Sequence, residues 1–187
     1  MSPQLLVLRM RVAYADPPYP GCARLYKDHP DYAGEVDHAE LVERLERDFP
    51  DGWALSTSAA ALPMILALCP AVSTTSELRV CVWVRSVVPR PPARIMWSWE
   101  PLIVRTPNWR QRRRDDFVSD VLRGAGQPSG FLGGTITGQK PVGFCHWMFR
   151  LLGLMPTDEL VDVFPGSGAV TRAWEVWRSQ LRIEDVA

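Results

Sequence analysis

The stretch ELVDVFPGSGAV, residues 159–170, decides how this chain reads. Its apolar half, 160–164, has the composition of a buried strand, and Pro165 to Gly168 form a tight loop. Residues 169–178 then carry a helical pattern. A strand running through a glycine loop into a helix brings backbone close to a bound ligand. No Gly-Lys-Ser/Thr follows, so a triphosphate-binding loop is disfavoured.

Working outward, strand and helix patterns alternate along the chain. An apolar run over 5–15 stops at Asp16-Pro17-Pro18, because proline cannot donate to a sheet ladder. Residues 37–49 place Leu41, Val42, Leu45 and Phe49 on one helical face, with Asp37 and Glu40 at its start. A short strand is expected over 53–57 and a helix over 62–68, with Pro63 in its first turn. LRVCVWVR (78–85) reads as a strand, and 95–104 as an extended segment interrupted at Pro101. A short helix is expected over 115–122, a glycine-rich loop over 123–139, and a helix from Pro141 to Leu152 stopped by Gly153. Such alternation predicts an α/β sheet.

The chain has 187 residues, 47% hydrophobic and 22% charged, which suits one globular domain over 1–187. Net charge is zero, so attraction to nucleic acid must come from a local patch. The first residues lack the order of a signal peptide, and no apolar run reaches membrane-spanning length; a cytoplasmic protein is expected. Cys22, Cys69, Cys81 and Cys145 form no CxxC pair, so reduced thiols and no metal site are expected. His29, His38 and His146 have no triad or ligand context. Most of the eight tryptophans fall in apolar segments and read as core. Trp97, Trp99 and Trp109 flank the expected substrate side.

The second chemical constellation is YADPPYPG, residues 14–21, at the end of the first strand. An exocyclic amine on adenine is a poor nucleophile because its lone pair is delocalised into the ring. A carboxylate (Asp16) and a rigidly aimed carbonyl (Pro17) can accept its two hydrogens and free that lone pair. Pro18 restricts the loop, and Tyr19 can stack on a base swung out of a duplex.

With GQKPVGF (138–144), these segments resemble the amino-methyltransferases of DNA adenine and cytosine: a DPPY loop, a KP helix start and a DxFxGSG loop. Their order resembles the family's permuted beta class, and DPPY leans toward adenine. The resemblance implies a Rossmann-like methyltransferase fold that uses S-adenosylmethionine, without a metal. It implies that Asp16, Pro17, Pro18 and Tyr19 are catalytic. Asp162, Phe164, Gly166, Ser167 and Gly168 would line the cofactor, with Lys140 and Pro141 opening a helix over it. A ribose-binding acid is expected at the end of a further strand over 181–183. Glu184 and Asp185, 16 and 17 positions after Gly168, are the candidates. An edge strand beyond that acid is expected to be missing.

The family's recognition region would here be a short segment over 106–137. It holds Trp109, Arg110, Arg112, Arg113 and Arg114, suited to phosphate contact and stacking on DNA. The resemblance implies a phage or restriction-modification setting, with host-DNA protection or evasion of restriction as the alternative roles. RNA adenine as substrate, and a non-catalytic subunit acting with a partner protein or as a homodimer, are the competing readings.

Overall fold

The computed structural model describes residues 9–27, 34–70, 76–85, 94–107, 117–124 and 139–184. In chain order the elements are β1 (Arg11–Ala15), α1 (His38–Asp48), β2 (Trp53–Ser56), α2 (Leu62–Leu68), β3 (Ser76–Val84), β4 (Trp99–Pro107), β5 (Val121–Arg123), α3 (Val142–Leu151), β6 (Glu159–Asp162) and α4 (Ala169–Glu184). The strands form one sheet in the order β5-β3-β4-β2-β1-β6. β1 is parallel to β2 and β6, and β5 to β3, while β4 runs antiparallel to both its neighbours.

Period-two alternation sorts the strand side chains between two helical layers. Val12 and Tyr14 point to the face covered by α3 and α4, through Phe144, Met148, Phe149, Val170 and Trp174. Ala13 and Ala15 point to the opposite face, covered by Leu41, Val42 and Leu45 of α1 and Ile65 of α2. The helices begin and end where local chemistry directs. Asp37 caps α1, accepting from the Ala39 and Glu40 amides at 2.9 and 3.1 Å. Gly153, at φ +64°, closes α3, and the Leu154 amide reaches back to the Phe149 carbonyl at 3.0 Å.

Three local expectations are corrected. The strand expected over 181–183 is the last turn of α4, so Glu184 ends a helix rather than a strand, and Asp185 lies outside the described residues. Val170, Ala173, Trp174 and Trp177 recur at helical spacing and pack on α3, and Leu181 continues that spacing in sequence. The helix expected over 115–122 is instead β5 where described, because the edge of β3 offers it backbone partners; Val82 N donates to Asp120 O at 2.7 Å. Pro101 does not interrupt β4. Its carbonyl faces β2 and accepts from Thr57 N at 3.3 Å. The N–H it lacks would have pointed the same way, toward Thr57, so the bond forgone lies one residue past the end of β2.

Candidate active site

β1 and β6 are adjacent and parallel, with Tyr14 opposite Asp162, so the loops leaving them lie side by side. The chain from β1 leads to α1 on one face of the sheet, and that from β6 to α4 on the other. This divergence is a topological switch point, where open α/β sheets form their ligand crevice. Residues 16–19 follow β1 and residues 163–168 follow β6, bringing two segments over 140 positions apart in sequence to one rim.

Four charged side chains and one phenol meet beside the β1 loop. Lys140, just before α3, lies 3.0 and 2.9 Å from the two Asp16 carboxylate oxygens and 3.3 Å from Glu100 Oε2. The Tyr19 hydroxyl donates to that same Glu100 oxygen at 3.0 Å, and Arg85 pairs with Glu100 Oε1. The Lys140 ammonium also lies 5.7 Å from the centre of the Phe144 ring. Lys140 is only 7% exposed and Glu100 8%. Burial on its own would lower the lysine's affinity for its proton, but Asp16, together with Tyr19 and Tyr14, outweighs it and holds Lys140 well above its ordinary value. Burial pushes the Tyr19 hydroxyl up to about 12, so it is a neutral donor. Beneath the loop, the Tyr14 hydroxyl and Ser56 Oγ are 2.9 Å apart and pin β1 to β2.

The β6 loop makes a different surface. Gly166 and Gly168 adopt φ of +44° and +70°, and the Gly168 amide bonds to the Pro165 carbonyl at 2.6 Å. A β-carbon at Gly168 would come within 2.9 Å of the Arg172 guanidinium and hold the strained left-handed backbone. Asp162, at the end of β6, takes the Thr171 hydroxyl on Oδ2 at 3.3 Å. Its Oδ1 is buried with no hydrogen-bond partner among the described residues.

Burial of Asp162, against the opposing Thr171 bond, raises its carboxyl to about 6. The folded chain therefore binds this proton more tightly than the unfolded chain. That favours folding below the ordinary carboxylate range, and the contribution disappears as pH rises through about 6. Asp162→Asn keeps the shape and loses the charge. It is expected to melt above the unsubstituted protein at pH 8, with the gap closing toward pH 5. An equal gap at both pH values in thermal melts would count against a buried charge here.

Of the residues singled out in sequence, Asp16, Tyr19 and Lys140 are in mutual reach, and Asp162, Phe164, Gly166, Ser167 and Gly168 form the adjoining loop. Pro141 is the N-terminal cap position of α3. Trp109, Arg110, Arg112, Arg113 and Arg114 lie outside the described residues. Trp97 is 61% exposed, and Trp99 is the first residue of β4. Burial raises the Cys145 thiol to about 12, which leaves it inert. Sequence reasoning missed Glu100 and Arg85. The available signal was a lone acid inside the apolar stretch 95–104, since a glutamate is buried only when paired.

The chain is a mixed α/β fold, with two layers of helices around one six-stranded sheet, and it shares this fold with the solved structures that follow. The chain is similar to the solved structure of M1.HpyAVI, at 16% identity over 91% of this chain and 78% of that chain, with a TM-score of 0.59. It is also similar to the M1.HpyAVI-SAM complex, at 18% identity over 90% of this chain and 78% of that chain, with a TM-score of 0.57. No family model and no curated protein sequence matches the chain. Among the described residues, no helix is long and apolar enough to cross a membrane.

Proposed function

We propose that this chain is an S-adenosylmethionine-dependent methyltransferase acting on the exocyclic amine of adenine in DNA, with the motif order of the beta class. The observation that carries this reading is the juxtaposition of the Asp16 and Asp162 loops at one switch point. Each alone could be an ordinary turn. Side by side, they offer one surface for a base and one for a methyl donor.

The residues of the second loop fit the cofactor. Asp162 Oδ1 is a buried acceptor awaiting a donor, and the ammonium end of S-adenosylmethionine is a donor of the right charge. Gly166 and Gly168 admit close approach of a ligand to the backbone, with Phe164 and Ser167 beside them. The similarity in fold to a protein solved in complex with SAM points the same way. Once bound, the cofactor supplies a methyl group on a sulfonium. The amine nitrogen would take up that methyl carbon while Asp16 and the Pro17 carbonyl hold its hydrogens, and its surplus proton would pass to bulk solvent.

This chain's own residues prepare the amine. Asp16 and the Pro17 carbonyl accept its two hydrogens, moving electron density onto nitrogen and fixing it in line. Tyr19 holds the base by stacking, with its hydroxyl tethered to Glu100. The cluster of Trp109, Arg110, Arg112, Arg113 and Arg114 supplies phosphate contacts and stacking.

The test is transfer of labelled methyl groups from S-adenosylmethionine to duplex DNA, single-stranded DNA and RNA in parallel, followed by nucleoside analysis. Methylated adenine from DNA is the expected product. Product from RNA alone would reassign the substrate. Cofactor binding without transfer to any of the three would favour a non-catalytic subunit.

A further inference from the structure

We propose that Glu100 is a positioning residue that takes Lys140 from Asp16 when the substrate amine arrives, so that one lysine switches the site between a guarded and a receptive state. The proposal rests on the methyltransferase reading above and adds a residue and a step to it.

The difficulty it resolves is visible in the distances. Lys140 Nζ is within 3.0 Å of both Asp16 oxygens, the atoms needed to accept a hydrogen from the amine. A charge-assisted bond from ammonium to carboxylate is stronger than one from a neutral amine. The amine therefore competes poorly for these oxygens unless the ammonium is drawn to another acceptor. Water is a poor candidate, because Lys140 is almost wholly buried. An ammonium abandoned there would carry the penalty of an unpaired buried charge.

Glu100 is placed to remove that penalty. Its Oε2 lies 3.3 Å from Nζ, so a small swing of the lysine exchanges one carboxylate for the other without leaving the pocket. Arg85 holds the other Glu100 oxygen, and the Arg85 amide is tied to the Ser98 carbonyl at 2.9 Å, which anchors the acceptor to the sheet. The same Oε2 also receives the Tyr19 hydroxyl. Drawing Lys140 onto Glu100 is thus linked to the position of the ring that holds the base.

The test compares kcat, KM and cofactor affinity for the unsubstituted protein, Glu100→Gln, Glu100→Asp and the double variant Glu100→Gln/Lys140→Met, using labelled S-adenosylmethionine and an adenine-containing duplex. Glutamine still accepts from Tyr19 but holds an ammonium weakly, so Lys140 stays on Asp16. The expected result for Glu100→Gln is a fall in kcat of about 10–100-fold with cofactor affinity unchanged. The double variant has no ammonium left to guard Asp16, and its kcat is expected to exceed that of Glu100→Gln by about tenfold. Such recovery is not expected if Glu100 only supports the fold. A double variant no faster than the single one, or Glu100→Gln with full kcat, overturns the proposal while leaving the methyltransferase reading intact. Should the double variant not fold, Glu100→Asp decides: transfer above Glu100→Gln supports the switch, and equal or lower transfer overturns it. Absence of transfer by the unsubstituted protein overturns the methyltransferase reading, and the switch with it.

Discussion

Asp16→Ala is expected to bind S-adenosylmethionine as tightly as the unsubstituted protein and to transfer methyl groups about 10²–10³-fold more slowly. The two effects separate because the two loops do. Asp16 faces Lys140 and the β1 loop, whereas the proposed cofactor contacts lie on the β6 loop around Asp162. The fold should tolerate the change, since Lys140 retains Glu100 as a partner. The carboxylate acts on charge that develops on nitrogen only as the new bond forms, so its loss falls on kcat rather than on ground-state binding. Parallel measurement of cofactor affinity by titration calorimetry and of single-turnover transfer separates the two. Full transfer by Asp16→Ala would remove this loop from the chemistry altogether.

Lys140→Met has the largest expected effect on stability. The lysine is the shared cation of Asp16 and Glu100, and it is nearly inaccessible to water. Its removal leaves Asp16 without this cation, while Glu100 keeps Arg85. Breaking a buried pair by deleting one partner costs about 3–5 kcal/mol. In a chain of this size that corresponds to a fall of about 10 °C in melting temperature. Melting curves for both proteins at pH 7 test this. A melting temperature equal to that of the unsubstituted protein would mean that the ion pairs of Lys140 add nothing to stability.

Lys140→Met also bears on how the site should be understood. Asp16 and Glu100 bring two negative charges together, and Lys140 and Arg85 bring two positive ones, so the cluster is balanced without help from solvent. Such balance permits the burial of Lys140 and Glu100 beside Asp16, the proposed acceptor of the amine's hydrogens. It also means that a change at any of the four groups is felt by the others. Single substitutions here should therefore be read as differences within a network, not as separate contributions.

Local chemistry makes much of the fold legible in the sequence. Asp37 with Glu40, Pro63, Pro141 and Gly153 each mark a helix boundary through constraints acting within a few residues, and each boundary lies where those constraints place it. The end of β1 was readable for the same reason, since Asp16-Pro17-Pro18 stop a ladder by themselves, whereas β6 ends at Asp162, before the Phe164 that the Pro165-Gly166 turn suggested. The misreadings arose where tertiary partners outweighed local preference. Residues 121–123 became a strand because β3 offered an edge, and 181–184 stayed helical as the continuation of an amphipathic face already docked on α3.

The sequence by itself determined the two loops at strand ends and the side chains each presents, because turn geometry and side-chain type are properties of short segments. Only the tertiary structure decided that Lys140 lies on Asp16, 124 positions away, and that Glu100, 40 positions from Lys140, is within reach of both the lysine and Tyr19. The physical reason is the sheet. Strand order and register select which distant side chains share a rim, and nothing in a local stretch such as 95–104 states that β4 will run antiparallel beside β2 and deliver its single acid to the end of β1.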